Sequence, residues 1–132
     1  MVIIDSSVFI DQFRTNCHRE RFDSIDELVR TSAVVLAELW RGASTAREQT
    51  VLRGLERRYP ILTPTEKNWL ESGEILGRMV VDHGFEGRKV RDLHFDVLIA
   101  LTARMHGARL ITSNRSDFEL IQSYRDFRLE IW

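Results

Sequence analysis

The chain opens Val2-Ile3-Ile4-Asp5-Ser6-Ser7-Val8-Phe9-Ile10-Asp11, and the reading of this stretch sets the fold class. Three β-branched residues in a row suit a short buried strand, because a branched side chain is stiff at χ1 and packs well on a pleated surface. Asp5 ends the run, two serines follow, and Val8, Phe9, Ile10 and Phe13 then fall where one face of a helix would need them. The reading is strand, turn, helix, with Asp5 or a serine as N-cap.

The same order returns downstream. A helix over about Phe22 to Arg30 leads into a strand at Thr31 to Ala33, and a helix over Val34 to Ala43 ends near Gly42. Arg47 to Arg58 reads as a helix stopped by Pro60, and Ile61-Leu62 as a third short strand closed by Pro64. From Thr65 a longer helix carries Trp69, Gly73, Leu76 and Val80 along one stripe and stops at Gly84, a glycine suited to a C-terminal cap. A charged loop, Phe85 to Arg91, precedes a helix over Leu93 to His106. Leu110 to Thr112 is a strand, Ser113 to Ser116 a polar turn, Asp117 to Ile121 a short helix, and Phe127, Leu129 and Ile131 alternate as a last strand. Short strands alternating with helices predict an α/β fold: three α/β/α layers around a mostly parallel sheet of four to five short strands.

Composition narrows the function. The 132 residues suit a single domain spanning 1–132, and 43% hydrophobic with 30% charged residues is a globular balance. The longest apolar runs, Ala33 to Ala37 and Val97 to Leu101, fall far short of the ~20 residues that cross a bilayer. Asp5 also breaks the apolar start that a secretory signal requires, so a cytoplasmic protein is expected. Cys17 is alone, and His18, His83, His94 and His106 lack zinc-ligand spacing. A net charge of −1 gives no global field for nucleic acid, so any phosphate binding must be local.

The acids are placed suggestively. In open parallel sheets ligands collect beyond the carboxyl ends of the strands. Asp5 directly follows the first strand, Glu38 lies in the first turns after the second, and Asp117 comes shortly after the strand ending at Thr112. Asp96 sits near the start of its helix, in the run Asp96-Val97-Leu98-Ile99-Ala100. Taken singly, each has a structural use: Asp5 and Asp117 as caps, Glu38 paired with Arg41, Asp96 favoured by a helix dipole at ~0.3–1 kcal/mol. Taken together they are harder to explain, because two carboxylates ~4 Å apart repel by ~4 kcal/mol at an effective dielectric of ~20. A converging set needs a proton or a cation, and oxygen-only ligands suit Mg²⁺ or Mn²⁺ rather than zinc.

Four segments, in order, resemble the motifs of the PIN domain, specifically the toxin ribonucleases of bacterial VapBC-type toxin–antitoxin systems. Ile4 to Asp11 is similar to the family's opening strand with its first acid. Val34-Val35-Leu36-Ala37-Glu38-Leu39 with Gly42-Ala43 is similar to the segment that holds its glutamate. Asp96 to Ala103 resembles the third-acid helix, and Leu110-Ile111-Thr112-Ser113-Asn114 through Asp117-Phe118 the fourth motif. The resemblance runs from Met1 to about Phe118.

It implies a Mg²⁺-dependent endoribonuclease, with Mn²⁺ as substitute, in which Asp5, Glu38 and Asp96 are the central acids. Asp117 is the fourth, with Asn114 as the alternative at a position where the family often has Asp or Asn. Ser7 would lend a hydroxyl near Asp5, and Arg88, Lys89, Arg91 and Arg115 would face the RNA. Asp92 either extends the acidic patch or caps its helix. The proton acceptor falls to Asp96 or Asp117. Implied partners are an RNA substrate, structured RNA such as tRNA included, and a small cognate antitoxin. A homodimer, forming a heterotetramer or larger assembly with that antitoxin, is implied as well. An apolar groove formed by the outward parts of Phe9, Phe13 and Trp40 would seat the antitoxin's tail.

Other strand-Asp proteins fit less well. A haloacid-dehalogenase-type phosphatase needs an acid at position 7, which is serine, and neither a G-x-G-x-x-G nor a P-loop pattern is present. The remaining alternative is a catalytically inactive PIN-like module that binds RNA or protein without cutting.

Overall fold

The computed structural model describes residues 1–132. Its sheet has five strands, β1 (Val2–Ile4), β2 (Val29–Ser32), β3 (Ile61–Leu62), β4 (Arg109–Thr112) and β5 (Arg128–Ile131), in the spatial order β3-β2-β1-β4-β5. Every neighbouring pair is parallel. The helices are α1 (Ser6–Thr15), α2 (Arg19–Asp23), α3 (Ala33–Gly42), α4 (Ala46–Arg58), α5 (Glu66–His83), α6 (Gly87–Met105) and α7 (Arg115–Tyr124).

Val2, Ile3 and Ile4 are all fully buried. Successive strand residues point to opposite faces, so both faces of the sheet are covered, and the apolar run needs no polar alternation. Around it lies one contiguous core that includes Val97, Leu98, Ile99, Leu110, Ile111 and Phe118. From β1 the chain winds outward to β2 and β3, then returns past β1 to β4 and on to β5. The winding direction therefore reverses between β1 and β4, and a crevice opens beyond their carboxyl ends at such a switch point. The expected α/β architecture and strand count are borne out. No helix of the structure is long and apolar enough to cross a membrane.

Several predicted boundaries shift, each for a tertiary reason. In place of a helix over Phe22 to Arg30 there is the short α2, and β2 already begins at Val29. Parallel pairing of Val29 with Val2 and Arg30 with Ile3 takes these residues, while the Glu27 carboxylate holds the N-terminal ammonium and Arg109. Ser32, the last residue of β2, also caps α3, its hydroxyl accepting the Val34 N–H, and Ala33 is already helical. The helix α6 starts at Gly87 rather than Leu93, absorbing most of the predicted loop, because its Arg and Lys residues favour helix once it packs along α5. Asp96 therefore sits in mid-helix and takes no support from a helix terminus, while Asp92 is an exposed α6 residue that caps nothing. The buried stripe of α5 is Asn68, Ser72, Ile75, Leu76 and Met79. Trp69 and Val80 lie outside it, 48% and 41% exposed, and a Cβ at Gly73 or Gly77 would meet open space. Gly84 caps α5 in the left-handed region at φ +65°, as its sequence position predicts.

Candidate metal centre

Asp5 leaves β1 and caps α1, so its carboxylate is fixed at the carboxyl edge of the central strand. Its Oδ2 accepts from the Ser7 hydroxyl at 2.6 Å and the Thr112 hydroxyl at 2.9 Å. Its Oδ1 is buried and has no partner. Glu38 projects from the middle of α3, with the Ser6 hydroxyl 3.4 Å from its Oε1. Asp96, buried in α6, completes the set. Oxygen atoms of Asp5, Glu38 and Asp96 all lie within 4.8 Å of one another.

Such crowding is legible in the acidities. Burial pushes the Asp5 carboxyl up, opposed by its hydrogen bonds to Ser7 and Thr112. Glu38 is pushed up to about 7, by burial first and the Asp5 charge second, with Arg41 pulling the other way. Asp96 is pushed up to about 8 by burial and then by Asp5, Glu38 and Asp117, while Lys89 opposes. Desolvation and like charge both disfavour the ionised form, and a bound cation would reverse both. The donor set is all oxygen and includes a buried, unpartnered carboxylate oxygen, so the residues present fit a hard divalent cation such as Mg²⁺ or Mn²⁺.

Asp117 stands apart. It lies outside the group of three, although its charge reaches Asp96. Its Oδ1 accepts from the Lys89 ammonium at 2.9 Å and its Oδ2 from the Asn114 side-chain amide at 3.1 Å. Asn114 is also the N-cap of α7, which starts two residues before the predicted Asp117. Asn114 thus serves Asp117 and the helix end, and neither residue joins the three acids. Among the four predicted basic residues, Lys89 alone reaches the site. Arg115 pairs with Glu119 one helical turn on, and Arg88 and Arg91 are exposed on α6.

Ser7 lies beside Asp5 as the sequence suggested, and Arg41 lies near Glu38, whereas nothing in the sequence reading singled out Thr112 or Ser6. Thr112 had a usable signal: β1 and β4 pair Ile4 with Ile111, so the next residue of each strand, Asp5 and Thr112, must be neighbours. Arg41 stacks over the Phe95 ring at 5.1 Å rather than forming a simple surface pair with Glu38.

The predicted apolar groove is corrected in two of its three residues. Phe9 is core, packed on Phe22 and Phe13. Trp40 turns toward α4, donating its indole N–H to Glu56 at 2.6 Å beneath Arg53. Phe13 remains, 50% exposed, in a groove of about 530 Å³ between α1, α3 and α4 whose lining includes Ile10, Leu39, Val51, Arg14 and Glu38. Of the three acids only Glu38 lines it, so the groove borders the acidic centre at that residue.

Fold and site together define a parallel α/β domain with an acidic, oxygen-lined centre at its topological switch point. The PIN domain family model matches residues 2–122, and the chain belongs to that family. PIN domains are typically nucleases that use divalent metals. Solved structures share the fold at low identity. They include a chain of the VapBC2 complex from Rickettsia felis bound to a DNA fragment from its promoter, at 21% identity and a TM-score of 0.76, covering 100% of this chain and 99% of that one. A chain of DNA-bound VapBC from Salmonella typhimurium gives 24% and 0.76, with the same coverage. VapBC-1 from nontypeable Haemophilus influenzae gives 22% and 0.73, covering 100% of this chain and 98% of that one. No curated protein matches at a significant level.

Proposed function

We propose that the chain is the toxin of a VapBC-type toxin–antitoxin pair and that it hydrolyses RNA phosphodiester bonds as a metal-dependent endoribonuclease, with structured RNA such as tRNA as its substrate class. The observation that carries this is the convergence of Asp5, Glu38 and Asp96, with carboxyls held up in pKa and one Asp5 oxygen buried without a partner. These three would hold Mg²⁺ or Mn²⁺. When bound, such a cation orients a water, favours its deprotonation and offsets charge developing on the phosphate. The chain's own residues do the positioning. The Ser7 and Thr112 hydroxyls hold one Asp5 oxygen and leave the other without a donor, while Glu38 and Asp96 project from the middles of α3 and α6.

Incubation of the purified chain with total RNA and Mg²⁺ or Mn²⁺, followed by sequencing of the new ends, tests the reading. Cleavage should vanish with EDTA and with Asp5→Asn. Cleavage that persists in Asp5→Asn, or no metal-dependent cleavage of any RNA, hands the case to the non-cutting PIN-like binding module.

In this reading the groove beside Phe13 seats the antitoxin's tail, and an antitoxin arginine entering at Glu38 would form charge-assisted hydrogen bonds with the acids. Phe13→Ala should weaken antitoxin binding by about tenfold or more, as loss of a central aromatic anchor does, while leaving cleavage by the free chain intact. Calorimetry with the co-expressed small partner, beside a cleavage assay, measures both. A homodimer completes the proposal. Light scattering at micromolar concentration should show twice the chain mass, and a monomer there would remove the dimer.

A further inference from the structure

Lys89 has no part in holding the three acids together. It lies on α6 seven residues before Asp96, two turns away on the same face, and its ammonium meets the Asp117 carboxylate at 2.9 Å. With Asn114 on the other oxygen, both Asp117 oxygens are engaged. So engaged, this fourth acid lies outside the group formed by the other three. Lys89 also opposes the acid charges at Asp96, so it serves as counter-cation to the crowded centre as well as to Asp117.

The pairing is built to be exchanged. The Lys89 side chain is 41% exposed and that of Asp117 22%, and a pair so hydrated contributes up to about 1 kcal/mol. The ammonium also lies over the Phe85 ring, 6.0 Å from its centroid, a second place for it once it leaves Asp117. A divalent cation among Asp5, Glu38 and Asp96 repels the ammonium and attracts the Asp117 carboxylate. One dication would still leave half of the formal charge of the four carboxylates unbalanced, an unfavourable field for an incoming phosphate. Arg41 lies on the Glu38 side, stacked on Phe95, so on the side of Asp96 and Asp117 Lys89 is the one placed to offset it.

We propose that Lys89 and a divalent cation compete for Asp117, and that Lys89, once released, becomes the contact for an RNA phosphate. The inference rests on the metal-dependent reading of the site and adds its order of events: Lys89 opposes metal uptake in the absence of RNA and supports RNA binding once metal is held.

The test uses the full chain and Lys89→Met, which keeps the stem and removes the charge. Mn²⁺ binding is followed by calorimetry without RNA, and binding of a labelled 2′-O-methyl RNA oligonucleotide by anisotropy in Mn²⁺ across a salt series. Lys89→Met should bind Mn²⁺ about three- to fivefold more tightly, the factor that loss of a pair of this strength gives. It should bind the RNA more weakly, with a salt slope lower by about 0.7–0.9, the value for one phosphate contact. In an Asp117→Asn background, Lys89→Met should tighten Mn²⁺ binding clearly less than it does in the wild type, since only its longer-range action on Asp96 is left. Unchanged or weaker Mn²⁺ binding by Lys89→Met overturns the competition, and equal tightening in the Asp117→Asn background overturns the role of Asp117. An unchanged salt slope overturns the phosphate contact. In each of these cases the metal-dependent reading stands, whereas a wild-type chain that takes up no Mn²⁺ removes that reading and this inference together.

Discussion

Asp5 heads α1 and Asp117 lies in the first turn of α7, each just beyond the carboxyl end of a central strand, β1 or β4. Their surroundings differ. Two hydroxyls converge on one oxygen of Asp5 and leave the other buried and bare, whereas a lysine and an amide divide between the two oxygens of Asp117 and satisfy both. Asp5 is 2% exposed, so its bare oxygen has no water to turn to. An unpartnered polar atom in such a place costs about 1–3 kcal/mol, and a bound cation removes that cost. What makes an acid available to a metal is therefore the set of donors its neighbours supply, more than its place after a strand.

The largest test of this contrast is cleavage by amide variants. Asp5→Asn and Asp96→Asn should each lower metal-dependent RNA cleavage by about 100-fold or more, the scale expected when a charge-stabilising group is lost from a polar centre. Asp117→Asn should cost about tenfold or less, since Asp117 is outside the group of three. Cleavage rates with the circular dichroism spectrum as a fold control check this, and equal losses at Asp5 and Asp117 would erase the distinction.

A smaller effect is expected from the donors themselves. Thr112→Val keeps shape and burial but removes the 2.9 Å hydrogen bond to Asp5 Oδ2. Orienting partners of this kind are worth about 10–100-fold in metal affinity. Mn²⁺ titration calorimetry reads the loss. Lys89→Met, on the Asp117 side, is expected to change affinity in the opposite direction.

Acidity gives the smallest effect and a defined sign. Glu38 and Asp96 have ordinary values of 4.5 and 3.8 and folded values of about 7 and about 8. Between these limits the folded chain holds more protons than the unfolded one, so without metal the stability should fall as pH rises from about 4 to about 8. Mn²⁺ affinity should rise across the upper part of that window, with protons released on binding. In metal-free buffer at pH 8, Asp96→Asn should melt about 3–8 °C higher, because burial and repulsion no longer act on a charge there. Scanning calorimetry at several pH values measures both trends, and a melting temperature that climbs from pH 5 to pH 8 in EDTA would contradict them.

Much of this was legible in the residues. Val2-Ile3-Ile4 followed by Asp5 announced the first strand and its acid, and the order of apolar runs and breakers announced an α/β sheet. Asp5, Glu38, Asp96 and Asp117 were readable as candidates from their places near strand ends or a helix start, and the first three as the central acids only through the resemblance to the PIN domain. The stretch 22–30 was misread because its apolar spacing suits a helix, while its fate was settled by residues far away: Val2 and Ile3 recruit Val29 and Arg30 into the sheet, and Glu27 holds the N-terminus. Trp40 was misplaced for a similar reason, its indole N–H being drawn to Glu56 on the next helix.

By itself the sequence determined the order of most strands and helices, the cap at Gly84, and which acids lie near strand ends, because these depend on local conformational preference and on spacing of a few residues. Only the tertiary structure decided which of four acids share a site. That division turns on contacts between residues up to 107 positions apart, such as Thr112 on Asp5, and on a lysine two turns before Asp96 whose reach depends on where α6 begins. Charge repulsion and hydrogen bonding act over a few ångströms in space, and chain spacing alone does not fix such distances.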